Sequence, residues 1–138
     1  MRGKAMHALT LTAGIVAGAF AAATLGAQPP SVREAALLRT DLVGIDGKEL
    51  IVSRFETAPG WVHGRHYHAG HEFVYVLEGS AIVEIEGRPP VRLGPGATAH
   101  MPPRQVHAGR NASGTEPLRF LLFRIHDKGQ PLSVELGP

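Results

Sequence analysis

After residue 44 the chain is divided into short apolar runs, each closed by a cluster of turn-forming residues. The segments 49–57, 72–77, 81–86 and 118–126 are rich in β-branched, aliphatic and aromatic residues. Glycine occurs 17 times and proline 11 times, and turn signals recur about every eight to twelve residues, which is typical of a sandwich or barrel. No helix of ordinary length is evident in this part. The sequence therefore predicts an all-β fold.

The composition of the chain excludes several classes of function. With 138 residues, 43% of them hydrophobic, the chain can form one domain with a sizeable core. The formal net charge of +2 comes from Arg2 and Lys4, because residues 28–138 carry 12 basic and 12 acidic side chains. A nucleic-acid-binding domain normally has a basic face, so we expect no nucleic-acid partner. The absence of cysteine excludes disulfides, thiolate nucleophiles and cysteine-ligated zinc.

The amino terminus has the composition of a targeting segment. Arg2 and Lys4 precede a run without charged residues at positions 8–27, and Gln28-Pro29-Pro30 follows. A basic start, an apolar run and a small residue before a turn predict a secretory signal peptide over residues 1–27. The cleavage site that we expect is after Ala27, with Ala23 and Gly26 as alternatives.

The alternative to cleavage is an uncleaved membrane anchor, because about 20 apolar residues suffice to span a bilayer. The run is mostly Ala, Gly and Thr, however, which favours cleavage over stable insertion. In both cases the folded part faces a non-cytoplasmic space. We therefore expect an exported protein, periplasmic or extracellular, without stable membrane association after signal cleavage.

Residues 28–44 form an extension ahead of the main domain. The segment 31–42 fits a short helix, capped by Ser31 with Glu34 three residues later, and it fits an edge strand equally well. The sequence alone does not decide between the helix and the strand.

The candidate functional residues are histidines and one acidic residue. His66 and His68 flank Tyr67, and residues two apart on a strand point to the same face, about 6–7 Å apart. Glu72 opens the next strand in the same register as Val74 and Val76, so its carboxylate is expected inside. A buried carboxylate requires a cation, a donor or a proton.

His107 follows the Pro102-Pro103 bend on a later strand. Three imidazoles and one carboxylate suit a divalent ion such as Mn, Fe, Ni, Cu or Zn, and they leave one or two coordination positions open. A His-x-His pair alone is also common among ordinary polar residues near a turn.

The spacing of these residues resembles the two sequence motifs of the cupin family. The first motif is Gly, five residues, His-x-His, three or four residues, Glu, six residues, Gly, and it is matched by Gly60, His66, His68, Glu72 and Gly79. The second is Gly, five residues, Pro-x-Gly, two residues, His, three residues, Asn, and it is matched by Gly96, Pro102, His107 and Asn111. Arg104 departs from it, because the family usually has Gly there; this predicts an altered turn or a cation near the barrel mouth.

The resemblance to small single-domain bacterial cupins of the quercetin-dioxygenase-like type implies a double-stranded β-helix, a jelly-roll barrel, over residues 45–138. It also implies that His66, His68, Glu72 and His107 bind one divalent transition metal. Such cupins commonly dimerise by exchanging or packing N-terminal strands, and residues 33–38 (REAALL) are available for that. The resemblance thus implies a homodimer with 28–44 as the exchanged segment.

Three functions are compatible with this resemblance. The first is a metalloenzyme that acts on a small oxygenated molecule with dioxygenase-like chemistry, in which Glu72 is a base as well as a ligand. The second is a non-redox isomerase or lyase whose metal acts as a Lewis acid. The third is a non-catalytic module that binds a small molecule or a metal.

Other residues beside the motif are less informative. His63 and His71 have the wrong parity for the interior set, so we expect both to point away from the barrel, whereas His100 can face either way. Trp61 either covers the site or packs in the core.

Overall fold

The protein, represented by a computed structural model, forms ten β-strands in residues 31–137, the part of the chain that the structure describes. The strands are β1 (Val32–Asp41), β2 (Lys48–Thr57), β3 (Val62–Tyr67), β4 (His71–Glu78), β5 (Ala81–Ile85), β6 (Val91–Leu93), β7 (Thr98–Met101), β8 (His107–Asn111), β9 (Leu118–Asp127) and β10 (Val134–Glu135). No helix within these residues is long and apolar enough to cross a membrane. The predicted signal peptide over 1–27 lies outside the described residues.

The strands form two antiparallel five-stranded sheets. The first has the order β1-β2-β9-β4-β7 and the second the order β10-β3-β8-β5-β6. Buried side chains of both sheets pack in one cluster, so the sheets face each other around a shared core. This arrangement confirms the predicted all-β double-stranded β-helix.

The core follows from alternation along the strands. On β9, Leu118, Phe120 and Leu122 are buried, while the residues between them are only partly covered. On β4, Val74 and Val76 are buried in the same way. Because side chains two apart share a face, the residues that continue these rows also point between the sheets. Glu72 continues the row of β4, and Arg124 continues the row of β9.

The segment for which the sequence allowed a helix or a strand is the edge strand β1. It pairs with β2 along its whole length, with an irregularity between Ala36 and Leu38. The guanidinium of Arg39 donates two hydrogen bonds, of 2.7 and 2.8 Å, to the buried carboxylate of Glu49 on β2. This ion pair adds a side-chain link to the backbone pairing.

Candidate metal centre

Three histidines converge inside the barrel. His66 lies near the end of β3, His68 directly after that strand, and His107 at the start of β8, where it is the cross-strand partner of His66. All three are at most 5% exposed, and one ring nitrogen of each lies within 4.8 Å of the others. The group could hold a metal ion.

Hydrogen bonds on the far side of each ring determine which nitrogen faces the centre. The Nδ1 atoms of His66, His68 and His107 lie 2.7, 2.6 and 2.9 Å from the carbonyl oxygens of Gly64, Leu132 and Gln105, respectively. A carbonyl oxygen only accepts, so each neutral ring carries its proton on Nδ1 and directs the lone pair of Nε2 inward.

The tautomer with its proton on Nδ1 leaves Nε2 able to bind a cation. No donor among residues 31–137 makes a hydrogen bond to the buried Nε2 of His68. Burial, together with nearby His107, His63 and His68, lowers the pKa of His66 to about 4, although the bond to the Gly64 carbonyl opposes the shift. His66 is therefore neutral near pH 7. Three converging lone pairs in a buried place need a donor or a cation, and one metal ion can bind all three.

The carboxylate of Glu72 lies beside the imidazoles. Its oxygens are 3.1 Å from Nε2 of His68 and 3.6 Å from Nε2 of His107, and its side chain is 5% exposed. Burial raises the pKa of Glu72, but contacts with His107 and His68 and the charge of Arg124 outweigh burial and lower it well below its usual value. Glu72 is thus an ionised oxygen donor that the structure brings together with the three predicted histidines.

The parity prediction for His63 is wrong. The pairing of β3 with β8 runs from His63↔Gly109 to His66↔His107, so β3 carries one extra residue between these pairs. Such a bulge turns residues three apart to the same side. The ring of His63 therefore stacks on that of His66, with centroids 3.8 Å apart, and its Nε2 lies 3.2 Å from a carboxylate oxygen of Glu135.

His71 and His100 lie on the opposite side of the sheet. Both are exposed, and Nδ1 of His71 is 2.9 Å from Nε2 of His100. The outward direction of His71 is confirmed, and His100, which the sequence left open, also points outward.

A mostly apolar cavity of about 110 Å³ adjoins the centre. Its apolar lining includes Phe55, Trp61, Val74, Val83, Phe120 and Leu122. Trp61 both lines the cavity and packs against the core, with its ring 6.3 Å from that of Phe120. The cavity can take a small organic molecule next to the imidazoles.

Arg124 is the functional residue that sequence reasoning missed. It lies on β9 opposite Glu72, and its Nε donates a hydrogen bond of 2.8 Å to Oε2 of Glu72. The sequence does contain one indication of this role, because Arg124 lies two residues after Leu122 and so continues the alternating apolar row of β9. The partner strand could not be read from the sequence, because β4 and β9 are far apart along the chain.

Comparisons with known proteins agree with this architecture. A family profile described as a cupin domain matches residues 53–124. A cupin-like protein from Thermotoga maritima is 26% identical with a TM-score of 0.60, covering 77% of this chain and 76% of that one. No curated protein matches the chain.

Two further solved structures are similar. The DMSP lyase DddQ from Ruegeria pomeroyi is 28% identical with a TM-score of 0.55; the match covers 62% of this chain but only 42% of that one. KdgF from Halomonas sp. is 24% identical with a TM-score of 0.55, covering 70% and 81% of the two chains, and this likeness concerns the fold alone.

Proposed function

The chain belongs to the cupin family, and from this premise we propose that it is a metal-dependent enzyme that converts a small oxygenated molecule with dioxygenase-like chemistry. The observation that carries the proposal is the convergence of three Nε2 lone pairs and an ionised carboxylate beside an apolar cavity. Three nitrogens and one oxygen would leave one or two coordination positions of a bound transition metal free for substrate or dioxygen.

The chain's own residues have distinct roles in this proposal. His66, His68, His107 and Glu72 would hold one divalent transition metal, such as Mn, Fe, Ni, Cu or Zn, which supplies Lewis-acid or redox activation when bound. The apolar lining excludes water and holds the carbon skeleton of the substrate. Glu72, being ionised, can also accept a proton from an enolic hydroxyl group, which is the base role that we propose for it.

A second candidate is a non-redox lyase or isomerase. It is favoured by the similarity to the DMSP lyase DddQ, whose aligned part is 28% identical to this chain. In this case the metal would polarise a carbonyl or carboxylate of the substrate, and Glu72 would remove a proton from carbon.

Both candidate functions require a bound metal, and the metal content of the purified protein tests this requirement. We expect about one transition-metal ion per chain in protein purified without a metal-chelating tag, measured by elemental analysis. The variant His107→Gln should lose the ion, whereas the matched control His100→Gln, which changes an exposed histidine, should retain it. Equal metal content in both variants would contradict the site.

Oxygen consumption separates the candidates. With enolic substrates such as flavonols, the dioxygenase-like proposal predicts oxygen uptake that requires the metal. Turnover of a substrate without oxygen uptake would favour the lyase or isomerase. Stabilisation by small molecules without any turnover would contradict both and leave a binding module.

We also propose that the protein is exported and forms a homodimer. The composition of residues 1–27 supports the first point. The second is supported by the edge position of β1, where Leu37 and Leu38 are about half exposed. Cell fractionation that finds the full-length chain in the cytoplasm would contradict export, and light scattering that shows a monomer would contradict the dimer.

A further inference from the structure

Arg124 is an arginine inside the barrel. It faces Glu72 across the β4–β9 pair and follows Leu118, Phe120 and Leu122 in the inward row of β9. Its side chain is only 12% exposed, and its guanidinium carbon lies 5.6 Å from the centroid of the Phe55 ring. An arginine is rarely covered to this extent unless it has a partner.

The principal partner of Arg124 is Glu72. The hydrogen bond from Nε to Oε2 is 2.8 Å long and joins two groups that are largely removed from solvent. The second carboxylate near Arg124, that of Glu34 on β1, is 3.9 Å from Nη1 and 47% exposed. A longer contact to an exposed group is screened and contributes much less.

Without a metal, Glu72 needs this guanidinium. Nε2 of His68 lies 3.1 Å from Oε2 of Glu72 but has no hydrogen-bond partner among residues 31–137, and Nε2 of His107 is farther from the carboxylate, at 3.6 Å. Within residues 31–137, Arg124 is then the permanently charged donor in contact with Glu72. A buried carboxylate that lost it would be left uncompensated.

We infer that Arg124 is a positioning residue whose hydrogen bond directs the carboxylate of Glu72 at the imidazoles before any metal arrives. The ligand set is thereby preformed, and an incoming ion meets an oriented carboxylate. The inference deepens the proposed function, because it takes Glu72 as part of the metal site. It assigns Arg124 no contact with the substrate.

A double-mutant cycle in metal-free protein tests the inference. Arg124→Met should lower the melting temperature by about 10 °C or more, since breaking a buried ion pair is strongly destabilising. In a Glu72→Gln background the same substitution should lower it by a few degrees at most, because the carboxylate that Arg124 compensates is no longer there. The matched control Arg119→Met, on the same strand but paired with exposed Glu56 and Glu78, should have a small effect in both backgrounds.

Two additional readouts separate positioning from packing. Arg124→Lys retains the charge and should recover part of the lost melting temperature. Added Zn²⁺ should raise the melting temperature of Arg124→Met by more than that of the wild type, because the ion supplies the missing positive charge.

Each outcome decides the inference. An equal loss from Arg124→Met in both backgrounds would overturn it, as would no loss at all. If Arg124→Met does not fold, folding of the double variant supports the inference, and failure of the double variant overturns it. A wild type that binds no metal would contradict the proposed function, while the cycle in metal-free protein would still decide the role of Arg124.

Discussion

At the scale of single residues, Arg104 occupies a conformation that suits glycine. Its φ angle is +64°, the only positive value at a non-glycine residue within 31–137, and its backbone N–H donates a hydrogen bond of 2.8 Å to the carbonyl of His68. The turn before β8 thus has a left-handed backbone, a conformation that suits glycine, and it supports the backbone of one predicted ligand. An altered turn, or a cation near the barrel mouth, stays a prediction at this position.

We expect Arg104→Gly to stabilise the protein by about 0.5 kcal/mol. Relief of the left-handed strain, about 1–2 kcal/mol, exceeds the entropic cost of a glycine, about 0.5–1 kcal/mol. Urea denaturation measures the change. The control Arg88→Gly lies in another exposed turn without a positive φ, so it should be slightly destabilising. A decrease in stability for Arg104→Gly would contradict the account.

The residues of the site were predictable to different degrees. His66, His68 and Glu72 follow from local spacing and strand alternation, which depend on neighbours in sequence. The stacking of His63 on His66 did not follow, because a bulge in β3 reverses the parity and nothing in the local sequence marks it. Arg124 was missed because its role depends on the register between two distant strands.

At the scale of elements, the turn between β3 and β4 holds two predicted ligands against β9. Gly70 lies in this turn between His68 and Glu72 and is buried. A Cβ added at Gly70 would overlap the carbonyl oxygen of Ile125 and the Cβ of His126. The close approach of this turn to β9 therefore requires a residue without a side chain.

Gly70→Ala should destabilise the protein by about 3 kcal/mol, because backbone of β9 cannot move away as a flexible side chain would. The matched control Gly64→Ala, in the bulge of β3, introduces a Cβ that meets no atom within 4 Å and should change stability by less than about 1 kcal/mol. Urea denaturation of both variants compares them. Similar stabilities would show that the packing of Gly70 is less restrictive than described.

Strand positions were largely predictable from apolar runs and turn residues, whereas the element at residues 31–42 was not. Its capping pattern fits a helix, and its strand form depends on hydrogen bonds to β2 and on the pairing of Arg39 with Glu49. These contacts are tertiary, so a local sequence pattern does not encode them. The order of the strands in the two sheets also depends on tertiary contacts, so the local sequence does not encode it either.

At the scale of the whole molecule, the buried imidazole of His66 makes the metal-free protein sensitive to acid. The pKa of His66 is lowered to about 4 in the folded state, chiefly by burial, whereas an unfolded histidine titrates near 6.5. Between these values the unfolded chain binds more protons than the folded one. The stabilising contribution is therefore complete above pH 6.5, falls as the pH falls, and is lost at about pH 4.

We expect His66 to account for a loss of about 3 kcal/mol of stability between pH 6.5 and pH 4 in metal-free protein. His66→Gln should lose correspondingly less stability over this range. The exposed control His100→Gln should follow the wild type. Denaturation of the three chelator-treated proteins at several pH values measures the difference, and parallel curves for wild type and His66→Gln would contradict the prediction.

The central claim is that the barrel holds one transition metal among the four predicted residues. Anomalous scattering at metal absorption edges, from crystals of protein purified without a metal-chelating tag, tests this claim most directly. We expect one peak about 2.0–2.3 Å from Nε2 of His66, His68 and His107 and from a carboxylate oxygen of Glu72. The absence of a peak, or a peak between His63 and Glu135 instead, would contradict it.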